Sequence, residues 1–108
     1  MKLLFAIIQN EDEKKLTRAL VEHDISVTRV SSSGGFLHSG NATLMIGVEK
    51  DRLEDVLDII RKESHRRKSM VAAPAFPKAS LEHTAQPMQV NVGGATIFMV
   101  DVEQFIRF

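Results

Sequence analysis

Cysteine is absent from this chain of 108 residues. That excludes a disulfide framework, a thiolate nucleophile and a cysteine zinc site. A surplus of one charge is missing too: 14 Lys and Arg stand against 14 Asp and Glu, for a formal net charge of zero. Nucleic-acid binders draw affinity from a surplus of Lys and Arg, so no nucleic-acid partner is expected. Long hydrophobic runs are missing as well. The longest, Leu3 to Ile8, falls far short of the ~20 residues of a membrane-spanning helix, so no membrane insertion is expected. One Lys and a brief apolar run precede the acids at Glu11, with no small-residue cleavage site between them. That start does not fit a signal peptide, and the expected location is the cytoplasm. Proline is scarce and confined to Pro74, Pro77 and Pro87.

What is present suits one compact domain spanning residues 1–108. Hydrophobic residues make up 44% of the chain, enough for a modest core. A domain of this size buries only roughly 60–65% of its unfolded surface, so association with a second copy would help it.

Leu3 to Gln9 is apolar at nearly every position, as expected of a strand covered on both faces. Asn10, followed by Glu13, resembles a capping-box helix start, and Leu16, Ala19, Leu20 and His23 follow at helical spacing. Ile25 to Ser31 reads as a second strand with imperfect alternation, and Ala42 to Val48 as a third. Asp51 and Glu54 open a second helix whose apolar stripe is Leu53, Val56, Leu57 and Ile60. Its acidic beginning and the basic run Arg61 to Lys68 at its end complement the helix dipole. Periodicity is lost from Ser69 to Gln89, so residues 69–88 are expected to form a flexible loop. Loops of that length are uncommon in small domains unless functional or disordered. Gln89 to Val92 and Ala95 to Val102, joined by Gly93-Gly94, read as the last strand with a bulge or tight bend at the glycines.

The order is β-α-β-β-α-β, the α+β arrangement of the ferredoxin-like fold. In that fold the first and third strands are central, and here they are among the most apolar. The last strand would be an edge, yet Ala95 to Val100 is too apolar to be left exposed, which points to association through it.

Signatures of catalysis are missing: no GxSxG, no Walker lysine loop, no GxGxxG and no paired acids in a catalytic arrangement. His23, His38, His65 and His83 show no metal-ligand spacing. His23 reads as a rim or core residue and His65 as part of a solvated charge run. An enzyme is not expected, nor a cofactor or metal. An RRM-like RNA binder shares the topology but needs exposed aromatics on the central strands and a basic face. Only Phe5 lies in those strands.

Residues 31–41, SSSGGFLHSGN, hold three glycines and four serines. Two readings stand side by side. Glycines let a backbone approach a ligand with amide N–H groups aimed at a phosphate, while Phe36 offers a face to a base and Asn41 a polar edge. Alternatively the segment is a hairpin connection whose glycines serve turns, with Phe36 capping the core.

Gly34-Gly35-Phe36-Leu37, Gly40-Asn41-Ala42-Thr43, Gly47-Val48, Asp51-Arg52, Val92-Gly93-Gly94-Ala95-Thr96 and Phe98 resemble, in this order, the PII-like cyclic-di-AMP receptor family. The beginning, MKLLFAIIQ, and the end, EQFIRF, are similar as well, so the resemblance covers nearly the whole chain. It implies a non-catalytic signal transduction protein, a homotrimer with cyclic-di-AMP held in clefts between subunits. The resemblance also implies that ligand binding orders long loops and alters contact with a downstream protein partner. By position, Thr28, Gly35, Phe36, Leu37, Asn41, Gly47 and Phe98 correspond to ligand-contacting sites. Two departures stand out: Ser26 where an Arg is usual, and Arg107 where a Gln is usual. A missing guanidinium–phosphate contact costs about 1.5–3 kcal/mol. The alternative is therefore a PII-like trimer that has lost cyclic-di-AMP or senses ATP or ADP.

Overall fold

The structure is a computed structural model and describes residues 1–30, 40–72 and 87–108. Strand β1 (Lys2–Gln9) leads into helix α1 (Asn10–Glu22), followed by β2 (Val27–Val30) and β3 (Asn41–Val48). A 3-10 turn (Lys50–Arg52) opens α2 (Leu53–Ser64), and β4 (Arg67–Ala72), β5 (Pro87–Val92) and β6 (Ala95–Asp101) complete the order. Four strands form one antiparallel sheet in the order β2-β3-β1-β6. With its two helices, this sheet is the ferredoxin-like fold, with β1 and β3 central and the last strand at an edge. Strands β4 and β5 pair separately as an antiparallel ladder.

Strand alternation decides where the core lies. Leu4, Ala6 and Ile8 of β1 are buried, as are Ala42, Leu44, Ile46 and Val48 of β3. Register pairs Leu4 with Ile46, Ala6 with Leu44 and Ile8 with Ala42, so all point to one face of the sheet. Leu16 and Leu20 of α1 and Val56 and Ile60 of α2 complete this cluster. The odd-numbered positions point the other way. Leu3, Phe5 and Ile7 stay half-buried beside Thr43 and Met45, their face uncovered by either helix. The expectation that β1 is covered on both faces is therefore not met within one chain.

Four further expectations are corrected. Asn10 does not cap α1: the cap position is Gln9, with no side-chain capping bond. Its amide is engaged elsewhere, on the turn before β6. His23 is exposed, and its Nδ1 lies 2.7 Å from the Ala19 carbonyl. The second helix stops at Ser64, and Arg67 and Lys68 already belong to β4.

The stretch from Ser69 to Gln89 is strand at both ends, because residues 67–72 pair with 87–92; residues 73–86 lie outside the described residues. At Gly93-Gly94 the tight bend, rather than the bulge, is what forms, between β5 and β6. Its positive φ values, 79° and 100°, turn the chain out of the β4–β5 ladder and into the main sheet.

Candidate functional site

The uncovered sheet face gathers four of the seven site residues expected from sequence. Gly35, Phe36 and Leu37 lie outside the described residues. Cross-strand partners in an antiparallel sheet point to the same side, so register assigns the rest. Thr28 pairs with Met45, Met45 with Phe5 and Phe5 with Phe98. Thr28 and Phe98 therefore end one row across the sheet, on its opposite edges. Three strand spacings separate them, about 14 Å. Gly47 pairs with Leu3 and Asn41 with Gln9 on the same face. Thr28, Gly47 and Phe98 are exposed and Asn41 is half-buried. These residues share a face without enclosing one pocket.

A cleft of about 750 Å³ opens at one end of the sheet. It lies where the end of β1 and the start of β6 meet the last turn of α2. Among the described expected site residues, Asn41 lines it and Thr28, Gly47 and Phe98 do not. Gln9, Arg61, His65, Arg66 and the Gly93–Gly94 turn contribute its polar wall, and among the described residues no carboxylate lines it. Cationic side chains beside a turn with exposed backbone groups suit an anionic ligand. Among the described residues, no group of three His, Cys, Asp or Glu side chains is placed to hold a metal.

Behind the cleft wall, Asp12 in the first turn of α1 is 1% exposed. Arg67 reaches it with both prongs, Nη2 to Oδ1 at 2.7 Å and Nη1 to Oδ2 at 3.3 Å. That hydrogen bond, reinforced by the Asp12 and Glu11 charges, raises the Arg67 pKa against a desolvation cost. The Gly93 N–H donates to Gln9 Oε1 at 2.7 Å. At the far end of the sheet Lys2 donates to Asp101, and this hydrogen bond, with the Lys2 charge behind it, lowers the Asp101 pKa.

Sequence reasoning missed Gln9, Asp12, Arg67 and the basic wall of the cleft. The run Arg61 to Lys68 was visible but reads equally well as the end of a helix. Nothing local marks Gln9 or Asp12, whose partners are 84 and 55 residues away.

Fold and site thus define a small ferredoxin-like protein with an anion-accepting cleft and an uncovered apolar sheet face. The chain belongs to the cyclic-di-AMP receptor family, whose model matches residues 1–108, the whole chain. It is also similar to a solved structure, that of a functionally unknown protein from Pediococcus pentosaceus ATCC 25745. The two share 40% identity over 99% of this chain and 96% of the other, with a TM-score of 0.77.

Proposed function

We propose that the chain is a non-catalytic signal transduction protein that binds cyclic-di-AMP between the subunits of a homotrimer. Ligand binding orders loops and so changes contact with a protein partner. Membership of a receptor family supports the ligand. The observation that carries the reading is the separation of Thr28 from Phe98. Both face the same side, yet they stand on opposite edges of the sheet.

One small ligand meets both most simply when the β2 edge of one copy approaches the β6 edge of the next. Such an arrangement is head-to-tail, and a threefold rotation between copies closes it as a trimeric ring. It also covers Phe98, Met99 and Val100, which are 48%, 39% and 48% exposed in the single chain. A contiguous apolar edge of this kind is rarely left in water.

Ser26, exposed and uncharged just before β2, supports the second reading: a trimer of this shape that takes ATP or ADP, or no nucleotide. Calorimetric titration of the full chain with cyclic-di-AMP, ATP, ADP and cyclic-di-GMP separates the two. The first reading expects selective cyclic-di-AMP binding near one ligand per subunit. Preference for ATP or ADP, or no binding at all, would replace it with the second.

A further inference from the structure

The strands give no charge to the sheet face on which the proposed function puts the nucleotide. Strands β1, β2, β3 and β6 contain three charged residues, Lys2, Arg29 and Asp101. Lys2 pairs with Val48 and with Asp101, and Arg29 pairs with Leu44. Val48 and Leu44 belong to the core, so all three charges stand on the helix side of the sheet. Arg29 follows Thr28 directly and still points the other way. Ser26, two residues before Thr28, is exposed and uncharged. Arg61 and Arg66 line the cleft beside Gln9 and Asn41, at the end of the sheet away from Gly47.

Cyclic-di-AMP carries two phosphodiester charges, and a charged group taken out of water needs a counter-charge or charge-assisted hydrogen bonds. The segment after β6 holds one. The Val102 N–H donates to the Met1 carbonyl at 3.1 Å, which fixes the start of this segment at the Lys2–Asp101 end of the sheet. Gly47, opposite Leu3, is one position from that same end. Phe105, Ile106 and Phe108 are 62%, 62% and 118% exposed, so the segment does not lie on its own sheet. The Arg107 guanidinium sits over the Phe105 ring, 5.7 Å from its centroid. A ring face holds a guanidinium without neutralising it, and no carboxylate among the described residues pairs with Arg107.

We infer that Arg107 of one copy supplies the positive charge to a phosphate of cyclic-di-AMP bound against Thr28 and Gly47 of the next. The head-to-tail contact brings the β6 edge of one copy to the β2 edge of its neighbour, and the segment after β6 travels with that edge. Extended, residues 103–107 span up to roughly 17 Å, several strand spacings. The apolar side chains on either side of Arg107 then lie against the neighbour instead of water. The inference rests on the proposed cyclic-di-AMP reading.

Calorimetry of the full chain with cyclic-di-AMP compares wild type, Arg107→Gln, Arg107→Lys and Arg29→Gln, each at low and high salt. Arg107→Gln is expected to bind roughly ten- to a hundredfold more weakly, with a shallower dependence on salt. Arg107→Lys, which keeps the charge but not the fork, loses less. Arg29→Gln binds as wild type does, and light scattering finds one mass for all four. Wild-type affinity in Arg107→Gln, or an equal loss in Arg29→Gln, overturns the assignment. So does a loss of binding that comes with a loss of mass, which would make Arg107 a packing residue.

The neighbour's part is read separately. The chain has no cysteine, so Ser26→Cys combined with Arg107→Cys offers a short bis-maleimide two thiols per chain. Covalent products of two and three chains are expected on a denaturing gel, and neither single variant should give the three-chain product. Products of one-chain mass alone overturn the placement of Arg107 on the neighbouring copy. Absence of cyclic-di-AMP binding by the wild type counts against the functional reading instead, and the cross-link still decides where the segment lies.

Discussion

The guanidinium of Arg67 fills the space that a side chain at Gly93 would need. A Cβ placed on Gly93 would lie 2.3 Å from Arg67 Nη1 and 2.5 Å from the His65 carbonyl oxygen. With φ at +79°, this position needs glycine for its backbone as well as for its space. Gly93→Ala is therefore expected to destabilise the protein by about 1–3 kcal/mol in urea unfolding. Gly94 offers the comparison: its φ is +100°, but the nearest atom, Arg66 Cβ, is 3.9 Å away. Gly94→Ala should carry the backbone cost alone. Equal losses at both positions would show that close packing by Arg67 adds nothing.

Gly47 behaves differently. A Cβ there meets nothing within 4 Å, so Gly47→Ala should leave the unfolding midpoint within roughly 0.5 kcal/mol of wild type. Its space lies on the uncovered face, to which the proposed function assigns the nucleotide. Calorimetry should then find weaker nucleotide binding despite an intact fold. Wild-type affinity in Gly47→Ala would remove Gly47 from the proposed ligand contacts.

Phe98 lies opposite Phe5 across the β1–β6 ladder and is 48% exposed. A carboxylate at that position sits easily in water but not in an apolar contact between copies. Phe98→Glu is expected to reduce the mass found by light scattering to that of one chain, with far-UV circular dichroism unchanged. Retention of a trimer mass would place the contact elsewhere.

The Lys2–Asp101 pair joins the first strand to the last, and its effect has a definite direction in pH. Hydrogen bonding to Lys2 lowers the folded-state pKa of Asp101 below its ordinary value. The folded state therefore holds this carboxylate ionised at pH values where the unfolded chain begins to protonate it. Its contribution is present above the ordinary carboxylate range and is lost as pH falls below about 4. Asp101→Asn should therefore lower stability slightly at neutral pH, leave it nearly unchanged in strong acid where the carboxylate is protonated anyway, and so flatten the acid limb of the stability curve. The Asp101 side chain is 80% exposed, so added salt should weaken the effect.

Much of the fold was legible in the sequence because it is written in local periodicity. The run Leu3 to Gln9, the helical stripe at Leu16 and Leu20, and that at Val56 and Ile60 each announce their element within a few residues. The apolar character of β1 and β3 was enough to put them at the centre of the sheet. The hairpin was not legible. Arg67 to Ala72 carries no strand signal of its own, and its partner strand begins at Pro87. The basic run before it continues the helix pattern, and only the turn at His65 ends that pattern.

The candidate site divides in the same way. Glycines and Asn41 stood out because their chemistry is rare within a short stretch. Their grouping with Thr28 and Phe98 was not visible, since strand register alone decides which side chains share a face. The sequence by itself determined the element types, the central strands and the likeness to a receptor family, all properties carried by neighbouring residues. Only tertiary structure decided that Thr28 and Phe98 stand on opposite sheet edges, that Gln9 holds Gly93, and that Asp12 is buried against Arg67. Those relations depend on contacts between residues 55 to 84 positions apart, or on the strand register. Their energies come from burial and pairing once the chain has closed, and no local pattern records them.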